Sequence, residues 1–96
     1  MFHKVYKLVI TLIIMAEKEI GEISNYFEHV NAAAIKLKSP LKIGDTIHIK
    51  GGETDFEQKI ESMQINRQPI KAAKKGDEVG ILVGQKVRKG YIVFKK

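Results

Sequence analysis

From Glu19 onward, apolar residues recur at every second position. "TIHIK" at 46–50 sets Ile47 and Ile49 on one face and Thr46, His48 and Lys50 on the other. "AAAIKL" gives an inward set of Ala33, Ile35 and Leu37, and "DEVGILV" gives Val79, Ile81 and Val83. "YIVFK" keeps the same habit near the C-terminus. Phe56 and Ile60 share one parity, whereas Met63 and Ile65 have the other. One extra residue near Glu61-Ser62, a β-bulge, would return all four to the core. Tyr26, Phe27 and Phe56 are read as core aromatics, with anchoring a protein contact as the alternative. No sustained helical period follows Glu19, and segment 67–75, with Pro69 and "KAAKK", has room for one helical turn at most. Six strands spaced by glycine-containing turns predict an all-β fold, a small closed six-stranded barrel rather than a sandwich.

The turns repeat. "KIGDTI" at 42–47, "KKGDEV" at 74–79 and "RKGYIV" at 88–93 each place a basic residue two before a glycine and an aliphatic after it. Gly44, Gly76 and Gly90 supply positive φ, and Asp45 and Asp77 accept backbone N–H bonds within their turns. A phosphate-cradling loop is the functional alternative. It fails, because no G-x-x-x-x-G-K-[ST] occurs in the chain and the segments that follow these glycines read as strands.

Residues 1–15 do not share the pattern and are set apart as an apolar extension, leaving 16–96 as one domain. "MFHKVYKLVITLIIMA" holds an apolar run from Leu8 to Ala16 broken only by Thr11, short of the about 20 residues that span a bilayer. Three readings stay open: upstream read-through before a true start at Met15, an added β-branched strand, or an export or membrane-contact segment with a poor cleavage site at Ala16-Glu17-Lys18.

A chain of 96 residues, 44% hydrophobic, can bury one modest core. There is no cysteine, which excludes a disulfide framework and a Cys-based zinc site and fits a cytoplasmic location. Charge is uneven. Segment 67–96 has nine basic and two acidic residues, net +7, whereas 1–66 has eight basic and nine acidic, net −1. Such asymmetry points to a polyanionic partner or to a lysine-rich solvated surface.

The motifs also carry a resemblance. "SPLKIGDTIHIKG" followed by "FEQKIESMQINRQPIKAAKKGDEVGILV" resembles the second domain of translational GTPases such as elongation factor Tu, and still more the short stand-alone translation elongation factor-like proteins. The likeness runs from about Ile20 to Val93. It implies a Greek-key form of the six-stranded barrel. Some collagenase-like peptidase family proteins carry a similar barrel at their C-terminus, without the catalytic part. In elongation factors this domain contacts the GTP-binding domain, the small ribosomal subunit and the aminoacyl end of tRNA. Here the GTP-binding domain is absent, so no GTP binding by the chain itself is implied. Lys74 falls on the basic position of the family's aminoacyl pocket, but Ala72 stands at the acidic one. Gly90-Tyr91 replaces the usual Gly-Asp, so Tyr91 is either a stacking platform for a base or a lining aromatic.

Catalytic machinery is not legible. His3, His29 and His48 have no partner at metal-ligand spacing, "ETDFE" lacks the remaining ligands of a calcium loop, and Ser62 has no base nearby in sequence. No catalytic residue, metal or cofactor is therefore assigned. The expectation is a non-catalytic, translation-related module that contacts RNA or ribonucleoprotein, such as tRNA or the ribosome, through Arg67, Lys71, Lys74, Lys75, Arg88 and Lys89. The alternative is a barrel that docks on a separately encoded translation or tRNA-modifying protein. Membrane association is not expected.

Overall fold

A computed structural model of the protein describes residues 17–96; the extension at 1–15, with its three readings, and His3 lie outside the described residues. The described chain forms ten strands: β1 Lys18–Phe27, β2 Ala32–Leu37, β3 Leu41–Lys42, β4 Thr46–Gly51, β5 Thr54–Lys59, β6 Met63–Ile65, β7 Gln68–Ile70, β8 Ala72–Ala73, β9 Glu78–Leu82 and β10 Ile92–Lys95. Among the described residues there is no α-helix, only a 3₁₀ turn at Glu28–Val30, which Asn31 ends in the left-handed region at φ 53°.

Eight strands pair in the order β5-β4-β10-β1-β2-β9-β6-β7, and β3 pairs with β8 as a separate ribbon. Every pairing is antiparallel. The alternating side chains meet in one core. Ile20, Ile23, Ala33, Ile35, Leu37, Ile47, Ile49, Val79, Ile81, Val83 and Val93 are all buried, joined by Leu41, Ile60, Met63 and Val87. Tyr26, Phe56, Ile65, Ile70 and Tyr91 are half-buried and cover its margin. At about 25 cal/mol per Å² of apolar surface removed from water, this burial is the main stabilising force.

The expected closed six-stranded barrel is not formed. The fold is all-β, but the strand order has two ends, β5 and β7, with no ladder joining them. The cause lies at residues 60–62. They belong to no strand, and Ile60 is held instead by the turn before β4: its N–H donates to the Asp45 carbonyl, and Gly44 N–H donates to the Ile60 carbonyl, both at 2.8 Å. The sheet curls, and a side chain spans the gap where a ladder would lie. Gln58 on β5 donates to the Leu82 carbonyl at 2.8 Å and accepts from Gly84 N–H at 3.0 Å. The expected bulge at Glu61-Ser62 is therefore a strand break, which achieves the same change of parity: Ile60 and Met63 are both buried. Pairing irregularities fall in β1 instead, between Glu19 and Gly21 and between Ile23 and Asn25. They bend this ten-residue strand around the core. Pro69, which has no N–H to give a ladder, sits on edge strand β7.

Candidate functional site

The outer faces of the curled sheet fall into three regions with different chemistry. The first is apolar. Phe27 on β1 stands opposite Ala32 on β2, which stands opposite Leu82 on β9. Paired residues of an antiparallel ladder point to the same side, and the next row, Tyr26, Ala33 and Ile81, faces the core. Phe27, Ala32 and Leu82 therefore form an outward strip across three strands. Phe27 is 42% exposed and Leu82 62% exposed, and Val30 in the adjoining 3₁₀ turn is 50% exposed. The adjacent row of Asn25, Ala34, Gly80 and Gln64 consists of small or uncharged residues. Ala32, Ser62, Gln64, Gly80 and Leu82 line a shallow depression beside the strip. Phe27 is thus not the core aromatic the sequence suggested, because the bulge after Ile23 places it on the solvent side of β1.

The second region is ionic and centres on His48. Ile47 and Ile49 face the core, so His48 points outward from β4, yet it is only 9% exposed. It lies opposite Glu57 on β5 and Phe94 on β10, and the Phe94 ring packs at 6.3 Å between centroids. Both ring nitrogens are engaged by carboxylates: Nδ1 lies 2.7 Å from Glu17 Oε2, and Nε2 meets Asp55 Oδ1. With an acceptor at each nitrogen, the imidazolium is favoured. The Asp55 carboxylate raises the His48 pKa from its ordinary value, burial opposes that, and Glu17 adds to it. Reciprocally, His48 lowers the Asp55 pKa. Glu57 also pairs with Lys96 at 2.8 Å. Sequence reading missed this cluster because its members lie 31 and 7 residues apart from His48 along the chain. The β4–β5 hairpin, whose turn the glycines at 51 and 52 signal, was the available clue to the His48–Glu57 pairing.

The third group is the cations expected to meet a polyanion, which the fold spreads over four separate turns. Arg67 lies in the β6–β7 turn, where Asn66 and Arg67 both have positive φ, at 52° and 66°. Lys71 lies between β7 and β8, Lys74 and Lys75 between β8 and β9, and Arg88 and Lys89 in the turn before β10. All six are exposed, and none joins an ion pair among the described residues. Arg88 lines a cleft with Glu53, Thr54, Lys86 and Tyr91, whereas Lys71 lines a groove with Lys42, Ile43, Glu61 and Ile70. Each of these openings contains a carboxylate, which weakens its field toward an anion. Tyr91 packs its ring onto the hairpin glycine Gly51 and is half-buried.

The repeated turns have a plain structural role. Gly44, Gly76 and Gly90 adopt φ of 97°, 94° and 96°. Asp45 accepts the Lys42 N–H at 3.0 Å, and Asp77 accepts the Lys74 N–H at 2.9 Å. All three turns share one backbone bond, from Asp45 N–H to the Lys42 carbonyl, from Asp77 N–H to the Lys74 carbonyl and from Tyr91 N–H to the Arg88 carbonyl, and the third lacks the added aspartate acceptor. Among the described residues no helix is long and apolar enough to cross a membrane.

No family profile matches the chain. A Methanocaldococcus jannaschii protein described as an uncharacterized protease is 44% identical over 77 residues, 79% of this chain. That match is 19% of the relative, so the chain spans about a fifth of its length. Two crystal structures of the C-terminal domain of a Geobacillus thermoleovorans putative U32 peptidase are similar in fold. The selenomethionine variant gives a TM-score of 0.76 at 20% identity, covering 82% of this chain and 99% of that domain. The other gives 0.77 at 20% identity, covering 82% and 92%.

These similarities correct the elongation-factor resemblance, and with it the expected translation role through RNA, the ribosome or a translation partner. The motifs behind that resemblance are Gly-Asp turns and the alternating strands beside them. Their residues set backbone geometry, which unrelated functions share. The described chain has the fold of the C-terminal domain of a U32 peptidase.

Proposed function

We propose that the protein is a non-catalytic accessory module of a U32-type peptidase, packing on the rest of that protein through the strip formed by Phe27, Ala32 and Leu82. The observation that carries this reading is the 44% identity to a segment making up 19% of a protein described as a protease. A match confined to a fifth of the relative leaves the other four fifths to supply the chemistry. The strip supports the reading physically. An exposed row of Phe and Leu beside small residues suits close packing against another apolar surface. Among the described residues, His48 is the histidine held by carboxylates, and with both nitrogens so engaged it is poorly placed to activate a hydroxyl.

The test is a graft. The matching segment of the Methanocaldococcus relative is replaced by residues 17–96, and the chimera is melted. One cooperative transition is expected. A Phe27→Glu, Leu82→Glu variant should split it into two, since a buried unpaired carboxylate opposes the contact. Two independent transitions in the unmutated chimera, or peptide hydrolysis by the purified chain alone, would overturn the reading.

A further inference from the structure

We propose that Glu17, His48 and Glu57 form a binding site for one divalent transition metal, with Zn²⁺ as the best-suited ion and Asp55 as the outer carboxylate that orients the histidine. One nitrogen of His48 and one oxygen from each glutamate lie within 4.8 Å of one another. Metal–ligand bonds of about 2.0–2.2 Å put neighbouring ligand atoms roughly 3–3.5 Å apart, so small rotations of two glutamate side chains close the set.

The positions are fixed by independent elements. His48 and Glu57 are directly opposite in the β4–β5 register, and Glu17 immediately precedes β1. Phe94 packs near the imidazole and restricts its tilt. The decisive feature is the other side of the ring. Metal-binding histidines usually donate their second N–H to a carboxylate, which fixes the tautomer and makes the coordinating nitrogen more basic. Asp55 already occupies that place at Nε2, leaving Nδ1 to face Glu17. A site built only to stabilise an imidazolium does not need Glu57, whose carboxylate lies within 4.8 Å of the other two ligand atoms and holds Lys96 at 2.8 Å. The ammonium of Lys96 is the cation that stands beside this carboxylate, and a metal ion would take over part of its role.

Charge and donor type select the ion. With His48 neutral, the carboxylates of Glu17, Asp55 and Glu57 outnumber the neighbouring cations Lys96 and Lys50, so the cluster keeps a net negative charge that favours a cation. One imidazole and two carboxylates suit Zn²⁺ or a neighbouring transition metal better than Mg²⁺ or Ca²⁺, which prefer oxygen alone. Three protein ligands leave at least one position for water.

The experiment uses the full chain, freed of metal by chelation and titrated with Zn²⁺ alone by calorimetry, with His48 imidazole nitrogens followed by NMR. One equivalent should bind saturably, with the Nδ1 resonance shifting more than Nε2. Glu57→Gln, which keeps shape and leaves the core untouched, should weaken binding at least tenfold with an unchanged circular dichroism spectrum. Asp55→Asn should weaken it about 10–100-fold, as loss of an outer-shell partner does elsewhere. A His3→Gln, His29→Gln double variant should bind as the parent does. No saturable binding, affinity unaffected by Glu57→Gln, or loss of binding in the His3/His29 variant would each overturn the proposal.

Discussion

At the scale of single residues, His48 shows how a fold gives new meaning to an ordinary position. In the alternation of "TIHIK" it is only an outward histidine. In the folded chain it is nearly enclosed, held by Glu17 and Asp55. Its pKa is raised above its usual 6.5, so in the metal-free protein its stabilisation is complete below that value and fades as pH rises through the folded-state pKa. Asp55 shifts the other way. Its contribution is present above its ordinary 3.8 and is lost as pH falls through the lowered folded value. Thermal melts across pH should therefore show highest stability between about pH 4 and 6.5 and a decline on the alkaline side, which His48→Gln removes. A flat profile from pH 5 to 9 in the parent protein would contradict the pairing. Gly51 gives a second residue-scale prediction. A Cβ there would overlap the Tyr91 ring, so Gly51→Ala should destabilise by about 1–3 kcal/mol in a denaturant titration. Pairing it with Tyr91→Ala should restore part of the loss.

At the scale of elements, the open strand order depends on how residues 58–62 are used. Gln58 bridges β5 to the end of β9 through two hydrogen bonds. Gln58→Ala should cost on the order of 1–2 kcal/mol and should speed hydrogen exchange at the Gly84 amide more than at amides inside β9. The alternation was legible where a strand has one buried face: Ala33, Ile35 and Leu37, and Val79, Ile81 and Val83, all point inward. The parity change between Phe56–Ile60 and Met63–Ile65 was legible too. Its form was not, because a bulge and a break both insert one residue's worth of shift, and the bonds from Gly44 N–H to the Ile60 carbonyl and from Ile60 N–H to the Asp45 carbonyl decide between them. Strand order was hidden for a similar reason. β3 and β8 have two residues each, too few for any periodicity to register. The exposure of Phe27 depends on an irregularity in β1 that no local pattern marks.

At the scale of the whole molecule, charge asymmetry was the most misleading sequence feature. A net of +7 over residues 67–96 counts side chains without placing them. The fold distributes seven of those nine cations among four turns, leaving Lys95 on β10 and Lys96 after it, and Lys71 and Arg88 line different openings, each with a carboxylate. The resemblance to elongation factors followed turn chemistry, which is shared widely because few residues satisfy a positive-φ turn between strands. The apolar strip was invisible for the opposite reason: Leu82 lies 50 residues after Ala32 and joins Phe27 and Ala32 in one surface only through β2–β9 pairing. If the strip serves contact and not stability, Leu82→Lys in the isolated chain should change the unfolding free energy by no more than about 0.5 kcal/mol, as surface substitutions do.

The central claim is that this face is covered when the module sits in a U32-type peptidase. Hydroxyl-radical footprinting measures it directly, by comparing side-chain oxidation of the isolated chain with that of the chimera carrying residues 17–96 in the Methanocaldococcus relative. Oxidation at Phe27 and Leu82 should fall severalfold in the chimera, while exposed Ile43, outside the strip, stays labelled as before. Equal labelling of Phe27 and Leu82 in both proteins would contradict the account.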